Sequence, residues 1–516
     1  MLRITNTESG LVAGTPGTDA RITVYKGIPF AADTSGENRW RPPQPPKSWE
    51  GVRKCYEFAP ITMQKVPGED PNAFYSKEWH VDPEVPMSED GSLVANIWTP
   101  AKTGKENMPV MVWIFGGGLQ EGYAHEMEFD GERIAARGVV FVSIAYRLNV
   151  FGFLAHPDLT AENPDAPTNF GFLDQKAGIQ WVKRNIANFG GDPENITIMG
   201  QSAGGVSVFS QMCSPQTEGL FQRTVIESSA GGSLLPVYPK TRFAPAPSLA
   251  EAEAQGVRFL EDYLGVHTIE EARKLDASFI RDKCVESGFW FAQVTDGKFM
   301  VETITEAVFR GHTHPVDVLM GYTEDEMPTA SPDDAEERVQ AWICEAFGPY
   351  GEEYLSACRE RAQRLGISLA EAAVVNANEN SSRIAAQALS DQGRRVYVYA
   401  FDPEIPGDDA GSFHSSDLWF SFETLMKCWR PFDGHHYDLA RKMCNYWTNF
   451  AKTGDPNGLD ADGTPMPEWT AYTKERPLAM HLYDEITMEK PEEADRKREV
   501  LLHANWEAYE KQTGVK

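Results

Sequence analysis

With 516 residues, 41% of them apolar and 11% aromatic, the chain can bury a large core, and α/β folds of this length often form one unit. Its 48 basic and 76 acidic side chains leave a formal charge of −28, a field that repels nucleic acid and anionic membrane surfaces and argues against both as partners. No run reaches the ~18 uninterrupted apolar residues of a membrane span. Seven cysteines (Cys55, Cys213, Cys284, Cys344, Cys358, Cys428, Cys444) show no C-x-x-C spacing, which reads as reduced thiols and not as a disulfide framework or zinc site. The segment Met1–Glu8 has no apolar signal core, so a cytoplasmic protein is expected unless a leader has been removed.

In chain order, Leu11-Val12 and Ile22–Tyr25 predict short strands, followed by a Pro-rich connector over Arg41–Pro46. Residues 60–88 are loop-like. Leu93–Trp98 and Val110–Phe115 predict buried strands, the second running into Gly116-Gly117-Gly118, and Val139–Tyr146 predicts another. Ala177, Trp181, Val182, Ile186 and Phe189 recur at helical spacing over 171–189. A strand from Ile196 then meets Gly200-Gln-Ser-Ala-Gly204 and a helix-compatible segment. Thr224–Ser228, Val316–Gly321 and Arg395–Phe401 predict further strands; 250–285, 333–390, 436–452 and 492–511 are helical in composition. Alternating strands and helices imply an α/β fold, a central, mostly parallel twisted sheet flanked by helices. With no repeat and no linker, residues 1–516 read as a single domain with large helical insertions near 250–285 and 333–390 and a mobile loop near 60–90.

Gly200 and Gly204 around Ser202 form the G-x-S-x-G pattern of a nucleophile elbow. A serine at the tip of a tight strand-to-helix turn stands clear of its backbone, and only residues without bulk fit beside it. The turn also offers N–H groups at the helix start to a developing oxyanion. Three consecutive glycines after a strand exceed what a plain turn needs and suit close backbone approach to a substrate. Other candidates have plainer readings. His312-Thr-His314 has no third metal ligand and reads as a polar pair, and His435-His436 reads as an exposed turn. Each of Phe289, Trp290 and Phe291 is as consistent with core as with a pocket wall.

Beyond the elbow, the chain resembles the type-B carboxylesterase/cholinesterase family of α/β-hydrolases over nearly its whole length, most of all the bacterial para-nitrobenzyl-esterase branch. The resemblance rests on Tyr25-Lys-Gly-Ile-Pro-Phe30, Arg39-Trp40-x-Pro-Pro43, Ser88-Glu-Asp90, Asn96-Ile-Trp-Thr-Pro100, Tyr146-Arg147, Phe170-Gly-x-x-Asp-Gln175, Phe189-Gly-Gly-Asp-Pro193, the elbow, and Tyr446-Trp-x-Asn-Phe-Ala-Lys-Thr-Gly-Asp-Pro456. It implies a serine hydrolase of small carboxylic esters, without metal or cofactor and with no stated oligomeric state. Ser202, Glu326 and His414 are carried over as triad, with Glu326 selected from Glu324, Asp325 and Glu326. The N–H groups of Gly117, Gly118 and Ala203 are carried over as oxyanion hole.

The substrate pocket implied by the resemblance draws on Leu119, Phe289, Trp290, Phe291 and Trp79. Arg39 with Glu89, and Arg147 with Asp174, are implied as structural ion pairs. Four departures stand out: Phe115 before the glycines, Ser415 and Met327 where glycines are usual, and Thr62 and Gly91 where a disulfide usually ties the 62–91 loop. An inactive adhesion-type relative is the alternative class, disfavoured because every triad and oxyanion position is intact. A lipase-like preference for long acyl chains is the alternative within the enzymes.

Overall fold

The computed structural model describes residues 1–79, 81–240, 245–326, 328–490 and 495–515. Among these, eleven strands form one sheet. In chain order these are β1 (Thr15–Pro16), β2 (Thr23–Pro29), β3 (Val94–Thr99), β4 (Met108–Ile114), β5 (Val140–Ile144) and β6 (Gly191–Gln201). They continue as β7 (Arg223–Glu227), β8 (Asp317–Thr323), β9 (Val396–Phe401), β10 (Met480–Leu482) and β11 (Thr487–Met488). The spatial order is β11-β10-β9-β8-β7-β6-β4-β5-β3-β2-β1. Pairing is parallel from β5 through β10 and antiparallel at both edges. A separate small sheet joins Ile4–Thr7, Gly10–Ala13 and Val52–Lys54.

The central strands are apolar on both faces because helices cover both. Every residue of Val110–Ile114, Val140–Ile144 and Val396–Phe401 is buried. The helices that matter below are α1 (Phe74–Glu78), α2 (Phe170–Asn185), α3 (Ala203–Cys213), α4 (Ala377–Asp391), α5 (Gly434–Thr453) and α6 (Arg496–Thr513). Of these, α2 and α3 pack against β6, α4 against β8 and β9, and α5 against β4 and β6.

The predicted 333–390 insertion is two things. Residues from Val339 to Val375 make their own apolar cluster, around Ile343, Phe347, Tyr354 and Leu355, closed by Val500 and Leu501 of α6. By contrast α4 puts Ile384, Ala385 and Leu389 into the main core. The expected 171–189 helix runs from Phe170 to Asn185 and tightens into a 3₁₀ turn over Ile186–Phe189. The expected start of the last helix, at 492, lies outside the described residues.

Both predicted ion pairs are buried. Arg39 donates to Glu89 through Nε (2.7 Å) and to the carbonyls of Ala272, Arg273 and Leu275, so it ties the 250–285 helices to the N-terminal region. Arg147 grips Asp174 through Nε (2.7 Å) and Nη2 (2.8 Å). All seven cysteines are free thiols. The midpoint of thermal unfolding is therefore expected to be the same with and without a strong reductant. A fall of many degrees on reduction, read by circular dichroism, would reveal a covalent tie.

Candidate active site

The four segments that meet at the site follow the C-terminal ends of β4, β6, β8 and β9, where parallel sheets gather loops. At the elbow, β6 passes into α3 with Ser202 between them at φ +55°, ψ −126°. A non-glycine residue there is strained, and the packing enforces it. A Cβ on Gly200 would lie 2.4 Å from the Gly204 carbonyl oxygen, and one on Gly204 would lie 2.1 Å from that of Ile114. The G-x-S-x-G spacing is thus a record of three backbones crossing. The Ser202 N–H is fixed to the Glu227 carbonyl of β7 (2.9 Å).

His414 Nε2 lies 2.9 Å from Ser202 Oγ, and its Nδ1 lies 2.7 Å from Glu326 Oε2. Glu326 is buried while Glu324 and Asp325 are exposed. Its Oε1 accepts the Thr323 N–H (3.0 Å), and its Oε2 also accepts from Asn378 Nδ2 of α4. Both oxygens act as acceptors, the pattern of a carboxylate. Asp325 acts elsewhere. Its Oδ2 accepts the Ser412 N–H (2.8 Å), which holds the histidine loop against the acid loop. Burial alone would push the His414 imidazole down; the hydrogen bond and charge of Glu326, with the charge of Asp417, outweigh it and raise its pKa above the ordinary 6.5.

The departures noted in the sequence also have a geometry. Ser415 adopts φ +79°, a value that favours glycine, and its Oγ accepts from Gln201 Nε2 (2.8 Å). Met327 lies outside the described residues. Phe115 stacks on Tyr146 (4.4 Å), whose hydroxyl donates to the Phe115 carbonyl (2.7 Å).

Gly117 and Gly118 both take positive φ (+95° and +65°). A Cβ on Gly117 would collide with the Glu121 carbonyl at 2.0 Å, and one on Gly118 would stand 3.0 Å from the Trp290 ring. Ala203 opens α3, where the helix itself leaves the first N–H groups unused. Leu119 is buried at φ +61°. Of the three aromatics, only Trp290 stands over the glycine loop, and it is 64% exposed. Phe291 packs inward against Phe259 (5.2 Å), and Phe289 packs under Arg258. The Phe291 carbonyl accepts from Gln120 (2.6 Å), so this segment is tied to the glycine loop.

Trp79 lies between Tyr75 and Trp419. Its loop, expected to be untied, is anchored by charge. The buried Glu78 accepts from Arg430 Nε (3.0 Å to each oxygen), Trp419 Nε1 (3.1 Å) and Trp429 Nε1 (3.0 Å). Arg430 also reaches Asp408 (2.8 Å) and lies over the Phe413 ring (4.9 Å). The Tyr75 hydroxyl donates to the His414 carbonyl (3.1 Å), and Phe74 meets Phe413 edge-on. The loop is thereby strapped to the histidine segment itself. In the sequence only Trp79 marks this loop; Glu78, Tyr75 and Asn378 carry no local pattern that would single them out.

The remaining histidines stand apart. His312 pairs with Glu302 (2.6 Å) and His314 with Thr217 (3.2 Å), in the loop before β8 and not on a strand. His436, expected to be exposed, is buried: it caps the start of α5, its Nδ1 accepting the Asp433 N–H (3.2 Å) and its Nε2 bonded to the Glu404 carbonyl (2.9 Å). Asp433, His435 and His436 bring ligand atoms within 4.8 Å of one another, but both ring nitrogens of His436 are already engaged by backbone groups.

Sheet order, elbow and the loops at the strand ends define an α/β-hydrolase. The Carboxylesterase family model matches residues 2–341 and 350–499, and the chain belongs to that family. It is a carboxylic ester hydrolase. Among its relatives, the para-nitrobenzyl esterase of Bacillus subtilis (strain 168) is 30% identical, over 97% of this chain and 98% of that protein. The fumonisin B1 esterase of Sphingopyxis macrogoltabida is 28% identical, over 88% of this chain and 82% of that protein. The solved carboxylesterase EST55 of Geobacillus stearothermophilus superposes with a TM-score of 0.75 at 31% identity, covering 97% of this chain and 100% of that one. Among the described residues no helix is long and apolar enough to cross a membrane.

Breaking a buried ion pair strands its partner charge, at about 3–5 kcal/mol. Glu78→Gln should therefore lower the unfolding midpoint and open the 62–88 loop to limited proteolysis. Wild-type protease resistance in that variant would show that the loop is held by other contacts.

Proposed function

We propose that the chain hydrolyses short-chain carboxylic esters, aryl esters included, through an acyl-enzyme intermediate on Ser202. The reading is carried by the chain of two hydrogen bonds from Ser202 Oγ through His414 to Glu326. In it, Ser202 attacks the ester carbonyl while His414 Nε2 takes its proton, and the same imidazolium then protonates the leaving alcohol. Water repeats the sequence on the acyl-enzyme. Glu326 holds Nδ1–H, which leaves the Nε2 lone pair for the serine, and stabilises the charge that forms on the ring. The N–H groups of Gly117, Gly118 and Ala203 receive the oxyanion, each such donor being worth roughly 10²–10³ in turnover. Trp290 and Trp79 are assigned to the pocket, and Phe289 and Phe291 to its support.

A serine-directed phosphonate or sulfonyl fluoride should inactivate the enzyme with its adduct, located by mass spectrometry, on Ser202. Glu326→Gln should lose turnover by about 10⁴-fold, as in the serine-protease template. Glu324→Gln, at an exposed site, should lose little, and Asp325→Asn an intermediate amount through its grip on Ser412. Full activity in Ser202→Ala would end the reading.

Turnover needs the neutral imidazole, so kcat/KM should rise with pH through the free enzyme's His414 titration. Because that group is shifted upward, the midpoint of the acid limb is expected above 6.5. A midpoint below 6.5 would mean that Glu326 and Asp417 do not act on the ring as described.

A further inference from the structure

Behind His414 lie two buried carboxyls that the reaction above does not use. Glu227 ends β7, and its backbone carbonyl holds the Ser202 N–H; Asp417 follows His414 by three residues. Each has one oxygen satisfied and one stranded. Trp447 Nε1 donates to Glu227 Oε1 (2.7 Å) and the Tyr399 hydroxyl donates to Asp417 Oδ2 (2.8 Å), while Glu227 Oε2 and Asp417 Oδ1 are buried without a hydrogen-bond partner. The two donors are neighbours, with the rings of Tyr399 and Trp447 5.2 Å apart, so the two carboxyls share one compartment.

The groups facing that compartment are Tyr399 from β9, Trp447 from α5, Ser421, and the Glu326–His414 pair. Among the described residues, no Lys or Arg pairs with either carboxyl. Three carboxyls and one imidazole in a cation-free interior cannot all be charged, because like charges in low dielectric disfavour each other's ionised form. Glu326 is already committed as an acceptor. A proton is thus needed on the other two, and the oxygen that carries it is no longer a bare buried charge.

We propose that Asp417 and Glu227 hold a single proton between them and that the charge left on Asp417 sets how strongly His414 takes up the serine proton. Asp417 is then a positioning residue of electrostatic kind, acting through the histidine. The direction of the individual groups agrees. Burial and then the charge of Asp417 push Glu227 well up, and Asp417 is pushed up to about 7, by burial first and by Glu326 after it, against the Tyr399 hydrogen bond. Two groups coupled in this way titrate as a pair. As an imidazolium forms during catalysis, the negative charge shared by the pair favours it.

This inference rests on His414 being the base proposed above, and its test separates the two. The acid limb of kcat/KM against pH is measured for wild type, Asp417→Asn and Glu227→Gln. Asp417→Asn removes the nearer charge and should move the limb to lower pH by about half a unit or more. Glu227→Gln removes the like-charged neighbour that disfavours ionised Asp417, so Asp417 carries the full negative charge and the limb should move up or hold. A fixed limb in Asp417→Asn, or an equal downward shift in both variants, overturns the proposal, since a merely structural defect would lower kcat without this opposite pattern.

If Asp417→Asn does not fold, Tyr399→Phe takes its place. Deleting the phenol donor drives the proton toward Asp417 and should also lower the limb; an unmoved limb counts against the pair. Infrared difference spectra supply the arm that is independent of turnover. Wild type minus the Asp417→Asn/Glu227→Gln double variant should show the carbonyl band of a buried protonated carboxyl at neutral pH. Its absence overturns the shared proton even in an enzyme whose esterase mechanism is otherwise intact. Its presence in a protein lacking esterase activity would sink only the reading of His414 as base.

Discussion

Everything at the site hangs on one steric crossing. Strand β6 must turn into α3 within a single residue while the end of β4 passes directly beneath it, close enough that a Cβ on Gly204 would stand 2.1 Å from the Ile114 carbonyl oxygen. The residue left at the turn, Ser202, takes a backbone conformation that costs of order 1–3 kcal/mol for a side-chain-bearing residue. The surrounding sheet supplies that energy, because β4, β6 and β7 are buried on both faces and cannot relax without exposing core. The strain projects the hydroxyl outward and sets the first N–H groups of α3 beside it. It also places the glycine loop after β4 next to the serine, since the same crossing brings Gly116 within reach of Ser202.

Around this crossing the protein arranges charge in two ways. On the side of α1, Glu78 and Arg430 are buried as a pair with indole donors to the carboxylate, so hydrogen bonds offset the desolvation penalty. Because Arg430 also covers the Phe413 ring, the loop carrying Glu78 and the segment carrying His414 share one anchor. The tie is ionic: Glu78 on the loop and Arg430 beside the histidine segment hold the two together. On the sheet side, among the described residues, Glu227 and Asp417 have no Lys or Arg partner, and there the proposed shared proton stands in for a counter-ion.

The three carboxylates that follow β8 show how much the tertiary surroundings decide. Glu324, Asp325 and Glu326 are adjacent and chemically alike, yet they have three separate fates. Glu326 turns inward to His414 and to Asn378, which comes from α4, 52 residues further along the chain. Asp325 holds Ser412, and Glu324 faces solvent. Only the inward residue has donors for both oxygens, and that difference is invisible in the local sequence.

What the sequence determined by itself was whatever short-range sterics and periodicity record: the glycines around Ser202, the glycine run after β4, the doubly buried strands, and the amphipathic spacing of 171–189. These are local because a turn or a strand face is settled by residues a few positions apart. The resemblance to a known family carried the choice of Glu326 and His414, which local pattern alone left open. The tertiary structure alone decided the rest. It buried His436 as a helix cap, packed Phe291 into the core and Phe289 against it while leaving Trp290 exposed, held the 62–88 loop through Glu78 and Arg430, and set Glu227 beside Asp417. Those contacts join residues tens to hundreds of positions apart, and their energies depend on burial and on what lies opposite, which no stretch of sequence contains until the chain has closed on itself.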